Sequence, residues 1–243
     1  MKRKNILVLL VASMFVMAIG ISSIATMPAS AQGKSQDLGK NWRVFNVKPD
    51  TSSFWDINKA ADLPGGVVQF PIQPFLTKTT GSFAVYLLNN YNVDMTGKTF
   101  NMNATWTPGS YETRSTSFPG AYVRFEFQDV TSGPYDANDY WWSTGGNSLD
   151  LNAATGGTLT VSLNDPSKWS NLCGRSATDT TAPYTDCITG NQIDVSPAAG
   201  FANAVKKVKL AGIAFGSSGS YASGVAIDGT NAGNFQVWNF TIQ

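Results

Sequence analysis

The chain has 243 residues, low charge (14 %) and no histidine, and its formal net charge is +1. Without histidine there is no Ser-His-Asp or Cys-His arrangement and no imidazole-ligated metal site. With so little net charge and no run of like charges, a basic nucleic-acid-binding face is excluded as well.

The N-terminus has the pattern of a secretory signal peptide. Lys2, Arg3 and Lys4 precede an almost unbroken apolar run from Ile6 to Ile24, and Ala29-Ser30-Ala31 follows with small residues, which places cleavage before Gln32. The alternative is a retained membrane anchor, since the run is nearly long enough to span a bilayer. Cleavage removes three of the 17 Lys and Arg and none of the 16 Asp and Glu, leaving a net charge near −2. The expectation is an exported protein, extracellular or periplasmic, with no membrane association after signal removal. Residues 32–243 then form a single domain, because no Pro/Gly/Ser-rich linker divides them.

The mature part alternates apolar and polar residues with period two, broken by turns. Strands are predicted at Trp42–Val47, Val67–Phe70 (ended by Pro71), Ser82–Leu88, Lys98–Trp106 and Ala121–Gln128, the last alternating best. There Val123, Phe125 and Phe127 point to a core, and Tyr122, Arg124, Glu126 and Gln128 point away from it. Further strands are predicted at Tyr140–Ser143, Ser148–Asn152, Thr158–Leu163, Lys209–Phe215 and Asn234–Ile242. Two short helices are predicted, each opened by a cap followed by proline. One starts at Asp165-Pro166 and leads to Trp169 and Leu172. The other starts at Ser196-Pro197 and ends in Lys206 and Lys207, which suit the negative end of a helix dipole. About ten antiparallel strands with helices only in connections mean an all-β fold, and a two-sheet jelly-roll sandwich is expected.

Cys173 and Cys187 are the two cysteines. In an oxidising compartment an even pair reads as a disulfide; a metal would need more soft ligands nearby.

Several segments resemble galactose-binding-like β-sandwiches, the jelly-roll group that includes carbohydrate-binding modules and laminin-B-like domains. Asp94-Met95-Thr96-Gly97-Lys98-Thr99-Phe100 is similar to the entry to an early strand of such modules, Ala121 to Gln128 to their central strand, and Val205 to Phe215 to a late helix end and strand. Asn234 to Ile242 is similar to the closing strand. Asp139-Tyr140-Trp141-Trp142, Trp169 and the glycine-rich Gly216 to Gly224 resemble laminin-B-like domains of bacterial exported proteins. Together these span roughly residues 80–243. The resemblance implies sugar binding in many relatives and a purely structural role in others.

A sugar offers an apolar CH face and a ring of hydroxyls, which suits flat aromatic rings beside Arg, Asp, Asn or Glu. The candidate ligand-binding residues are Tyr140, Trp141, Trp142 and Asp139, with Arg124 and Glu126 on a second surface. Trp141 and Trp142, adjacent on a strand, must face opposite sides. Asp136, Asn138 and Asp139 gather hard oxygen donors and form a candidate structural Ca²⁺ site, although polar turn residues explain them equally well. No other cofactor is called for. The function expected is non-catalytic binding of carbohydrate or cell-surface polysaccharide. The alternatives are a structural or adhesive surface protein without a small ligand, and a glycoside hydrolase or lyase using Asp and Glu, which needs only two carboxylates.

Overall fold

Antiparallel β-sheets dominate the computed structural model, which describes residues 43–47, 54–59, 61–63, 66–72, 74, 83–113, 118–130, 135–144, 146–219 and 224–243. For 43–63 and 83–92 the backbone alone is described. The signal sequence with its cleavage site, Trp42, Ser82 and positions 220–223 of the glycine-rich segment lie outside the described residues.

In chain order the strands are β1 (Arg43–Val47), β2 (Phe54–Lys59), β3 (Ala61–Leu63), β4 (Val67–Ile72), β5 (Phe83–Val93) and β6 (Thr99–Trp106). Then come β7 (Tyr111–Thr113), β8 (Tyr122–Gln128), β9 (Tyr140–Ser143), β10 (Leu149–Asp150), β11 (Gly156–Ser162) and β12 (Trp169–Asn171). The last are β13 (Tyr184–Thr185), β14 (Gln192–Ile193), β15 (Val208–Gly216), β16 (Val225–Ile227) and β17 (Gly233–Ile242). One sheet runs β12-β9-β8-β15-β5-β1-β2, with β10, β16 and β7 attached at its margins; the second runs β11-β6-β17-β4-β3. β13 and β14 form a separate ribbon. The expectation of an all-β antiparallel fold therefore holds.

The two large sheets pack face to face on aromatic side chains. Phe70 and Phe235 of one sheet meet Phe215 of the other at ring distances of 5.6 and 5.0 Å, and Phe100 meets Phe125 at 5.2 Å. Trp169 is 0 % exposed and lies against Phe127 at 5.2 Å and Phe100 at 5.6 Å. Its indole Nε1 donates to Ser162 O at 3.0 Å. Trp169→Ala should therefore cost about 3–5 kcal/mol, read from the midpoint of a urea unfolding curve.

Two local expectations are corrected. Pro71 does not end its strand: it sits inside β4, opposite Asn234, and β3 pairs only as far as Gln69. Its missing N–H thus falls where β3 no longer pairs, the place a strand tolerates proline. The Asp165-Pro166 signal yields a single 3-10 turn, Pro166–Lys168, not a helix to Leu172. Trp169–Asn171 pairs instead with β9, so strand pairing and burial of the Trp169 ring override the cap signal. The second helix does form, as α1 (Pro197–Ala204) with a 3-10 turn over Val205–Lys207. Ser196 Oγ caps it, accepting Ala199 N at 3.3 Å.

β17 carries an irregularity between Trp238 and Thr241, with Asn239 at φ 53°. The extra residue shifts the alternation so that Phe240 is buried in place of Asn239. Tyr111 is 3 % exposed and plugs one end of the core, its hydroxyl donating to Thr107 O at 2.5 Å.

The cysteines form the expected disulfide, Cys173–Cys187. It borders a small second core of Ala137, Tyr184 and Ile193. No helix among the described residues is long and apolar enough to cross a membrane.

Candidate functional site

The β8 alternation sets which residues share a face. Val123, Phe125 and Phe127 enter the sandwich core. Arg124, Glu126 and Gln128 occupy the opposite face, as expected, but are only 3 %, 0 % and 7 % exposed. Alternation fixes direction, and here the outward face is itself covered. In register beside Glu126 stand Trp142 of β9 and Gly212 of β15; beside Arg124 stands Ala214, and beside Gln128 stands Tyr140.

Glu126 is a buried carboxyl held by two neighbours. Trp142 Nε1 donates to Oε2 at 3.0 Å, and Gln128 Nε2 donates to Oε1 at 3.2 Å. Burial nevertheless dominates and pushes its pKa up to about 8, the two hydrogen bonds offsetting only part of it. At neutral pH Glu126 is a neutral acid. The guanidinium of Arg124, two residues earlier on the same face, lies 5.0 Å from the centre of the Tyr122 ring.

Trp141 and Trp142 do face opposite sides, and neither is exposed (0 % and 1 %). Trp141 is a core residue: its ring meets Phe201 at 5.1 Å, and Nε1 donates to Asn138 O at 2.6 Å. It presents no surface to a ligand, so it leaves the candidate set. Trp142 backs the aromatic series instead. Tyr140 stacks on it at 6.0 Å and 12°, and Tyr135 meets Tyr140 edge-on at 5.1 Å. Tyr135 is 41 % exposed, Tyr140 half-buried and Trp142 buried. The series thus runs from the surface inward to Glu126.

The acidic side of this corner is built by a 3-10 turn, Ala137–Asp139. Asp136 and Asp139 cap it reciprocally: Asp136 Oδ1 accepts Asn138 N at 2.7 Å, and Asp136 N donates to Asp139 Oδ2 at 2.8 Å. Gly200 of α1 packs on the turn so closely that a Cβ there would lie 2.5 Å from Asn138 Cγ. The Asn138 carboxamide turns away from both carboxylates. Its Oδ1 accepts from Tyr184 Oη at 2.8 Å and Asn171 Nδ2 at 3.0 Å, and its Nδ2 donates to Val195 O at 3.1 Å. The three residues expected to gather around Ca²⁺ are therefore not one ligand set. Asp139 has its carboxyl raised to about 6, first by burial and then by Asp129 and Asp136 nearby. The Tyr140 hydroxyl is raised by burial, then by Tyr135, Glu126 and Asp139.

Two residues that sequence reasoning missed complete the corner. Asp129 follows β8 and is 3 % exposed, and Lys207 reaches it with Nζ 2.7 Å from Oδ2. Lys207 was expected to serve the helix dipole; it serves Asp129. The alternation of β8 reaches Gln128, and nothing in it marks the next residue.

No protein-family model matches the chain, and no curated protein is similar to it. A solved chain of the Triatoma virus empty capsid aligns at 11 % identity over 90 % of this chain and 79 % of that one, with a TM-score of 0.20. A likeness that low carries no argument about fold or function.

Proposed function

We propose that this chain is an exported jelly-roll sandwich of the galactose-binding-like kind that binds carbohydrate without transforming it. The observation that supports this most is the Tyr135–Tyr140–Trp142 series. It sets an exposed ring, backed by two more, beside the carboxylates of Asp136 and Asp139. An aromatic face takes the CH surface of a sugar, and adjacent oxygens take its hydroxyls. Glu126, neutral and buried behind Trp142, acts as a positioning residue. Tryptophan fluorescence of residues 32–243, titrated with soluble oligosaccharides, tests the reading. A saturable shift that Tyr140→Ala removes from a folded protein is the expected result, and a flat response across the panel contradicts it.

The competing reading is a structural or adhesive surface protein with no small ligand. Burial of both Trp141 and Trp142 favours it, because it calls for few exposed aromatic rings.

A further inference from the structure

The outer face of the second sheet differs from an ordinary protein surface. β4, β6, β11 and β17 contain no Asp, Glu, Lys or Arg, although these make up 14 % of the chain. Exposed surfaces are usually interspersed with charges of both signs. Here alternation turns the apolar residues into the core and leaves mainly Thr, Asn and Gln outward, with one Trp. The outward side chains are tied across the strands. Thr158 Oγ1 donates to Asn103 Oδ1 at 2.7 Å, and Thr160 Oγ1 to Asn101 Oδ1 at 3.0 Å, each pair being neighbours in register. Gln236 Nε2 donates to Gln69 Oε1 at 2.6 Å. Carboxamides held in this way lose less freedom when a ligand binds. Trp238 stands among them, opposite Asn103 and partly exposed. The β17 bulge follows it directly. Asn239, at φ 53°, is exposed as well, so two consecutive residues are presented outward. That backbone is one a residue other than glycine seldom takes, and bulges of this kind re-aim a side chain.

We infer that this face is a platform for an extended, neutral polysaccharide, with Trp238 stacking on a sugar ring and Asn103 and Asn101 meeting the hydroxyls beside it. The lack of charge decides the class of partner. A polyanion or polycation finds no counter-charge here and gives up hydration without return. A neutral chain needs only the donors, acceptors and ring that the face offers. Neighbouring strands lie about 4.8 Å apart, so four of them give a platform roughly 15 Å wide, which suits a chain of sugars better than one small ligand. The platform shares no residue with the Tyr135–Tyr140–Trp142 series, whose Tyr140 and Trp142 stand on β9 of the other sheet. It stands whether or not that series binds sugar.

The test is depletion of residues 32–243 from solution by insoluble neutral polysaccharides (microcrystalline cellulose, chitin and mannan), repeated on Trp238→Ala, Asn103→Ala and Tyr135→Ala. The expected result is saturable retention of the wild-type protein by at least one of them, unchanged by added NaCl because no charge takes part. Trp238→Ala and Asn103→Ala should each weaken it about tenfold, the scale of one lost stacking or hydrogen-bonding contact. Tyr135→Ala should bind as the wild type does, which separates this platform from the Tyr135 series. Wild-type retention by none of the three overturns the platform. So does retention that Tyr135→Ala abolishes while Trp238→Ala and Asn103→Ala keep it. Light scattering supplies a further arm: a dimer that Trp238→Ala dissolves would put a second copy of the chain on this face and overturn the assignment.

Discussion

Raising the pH from about 6.5 to about 9 should lower the stability of this protein, and Glu126→Gln should remove most of that loss. Glu126 is fully buried, and its carboxyl is raised from 4.5 to about 8 by that burial. Unfolded, it loses its proton near 4.5; folded, it keeps the proton until about 8. Between these values the native state binds one more proton than the unfolded state, so stability falls as pH rises and levels off above about 8. Within the window, from about 6.5 to about 8, the loss is on the order of 2 kcal/mol, or roughly 4–8 °C in Tm for a chain of this size. Asp139 is raised only to about 6, so its contribution is spent before the window opens. Tyr111 and Tyr184, raised by burial to about 12, titrate beyond the window's upper end. A glutamine keeps the shape, accepts from Trp142 through its carbonyl and never ionises. Scanning calorimetry of both proteins across the window decides this; an equal fall in both would place the titrating group elsewhere.

The second large effect is expected from the disulfide. Cys173→Ser with Cys187→Ser should cost about 3 kcal/mol, because the bridge closes a short loop whose entropy the unfolded chain then regains. That corresponds to a fall in Tm of roughly 6–12 °C. The loss should be felt beyond the loop. Cys173 packs beside the small core of Ala137, Tyr184 and Ile193, and the Tyr184 hydroxyl donates to Asn138 in the turn that carries Asp136 and Asp139. Amide exchange should therefore speed up at residues 136–139 as well as at 173–187. Protection unchanged at 136–139 in the double variant would show that the turn stands without the bridge.

The sequence made the frame of the sandwich readable where strands are long and half of each is apolar. β6, β8, β15 and β17 lie within a residue or so of the predicted limits. β7, β13, β14 and β16 were not legible, because two or three residues carry no period. Trp169 was misread because a cap followed by proline is a strong local signal, whereas its pairing with Ser143 is a long-range event. The site was legible in part. The sequence placed Tyr140 and Trp142 together with Asp139, and alternation put Trp141 and Trp142 on opposite faces. It could not say that both would be covered, because period two reports direction and not depth. It also could not join Asp129 to Lys207, 78 positions apart in the numbering, since their meeting depends on how α1 docks.

Sugar binding at the exposed end of the aromatic series is the central claim, and affinity electrophoresis tests it most directly. Wild-type protein and Tyr135→Ala would be run side by side through gels containing single soluble polysaccharides. Tyr135 is 41 % exposed, so its removal should leave the fold intact. The expected result is retardation of the wild-type protein by at least one polysaccharide and a clear loss of it in Tyr135→Ala. Equal mobility of both proteins in every gel would contradict the claim and favour a structural protein without a small ligand.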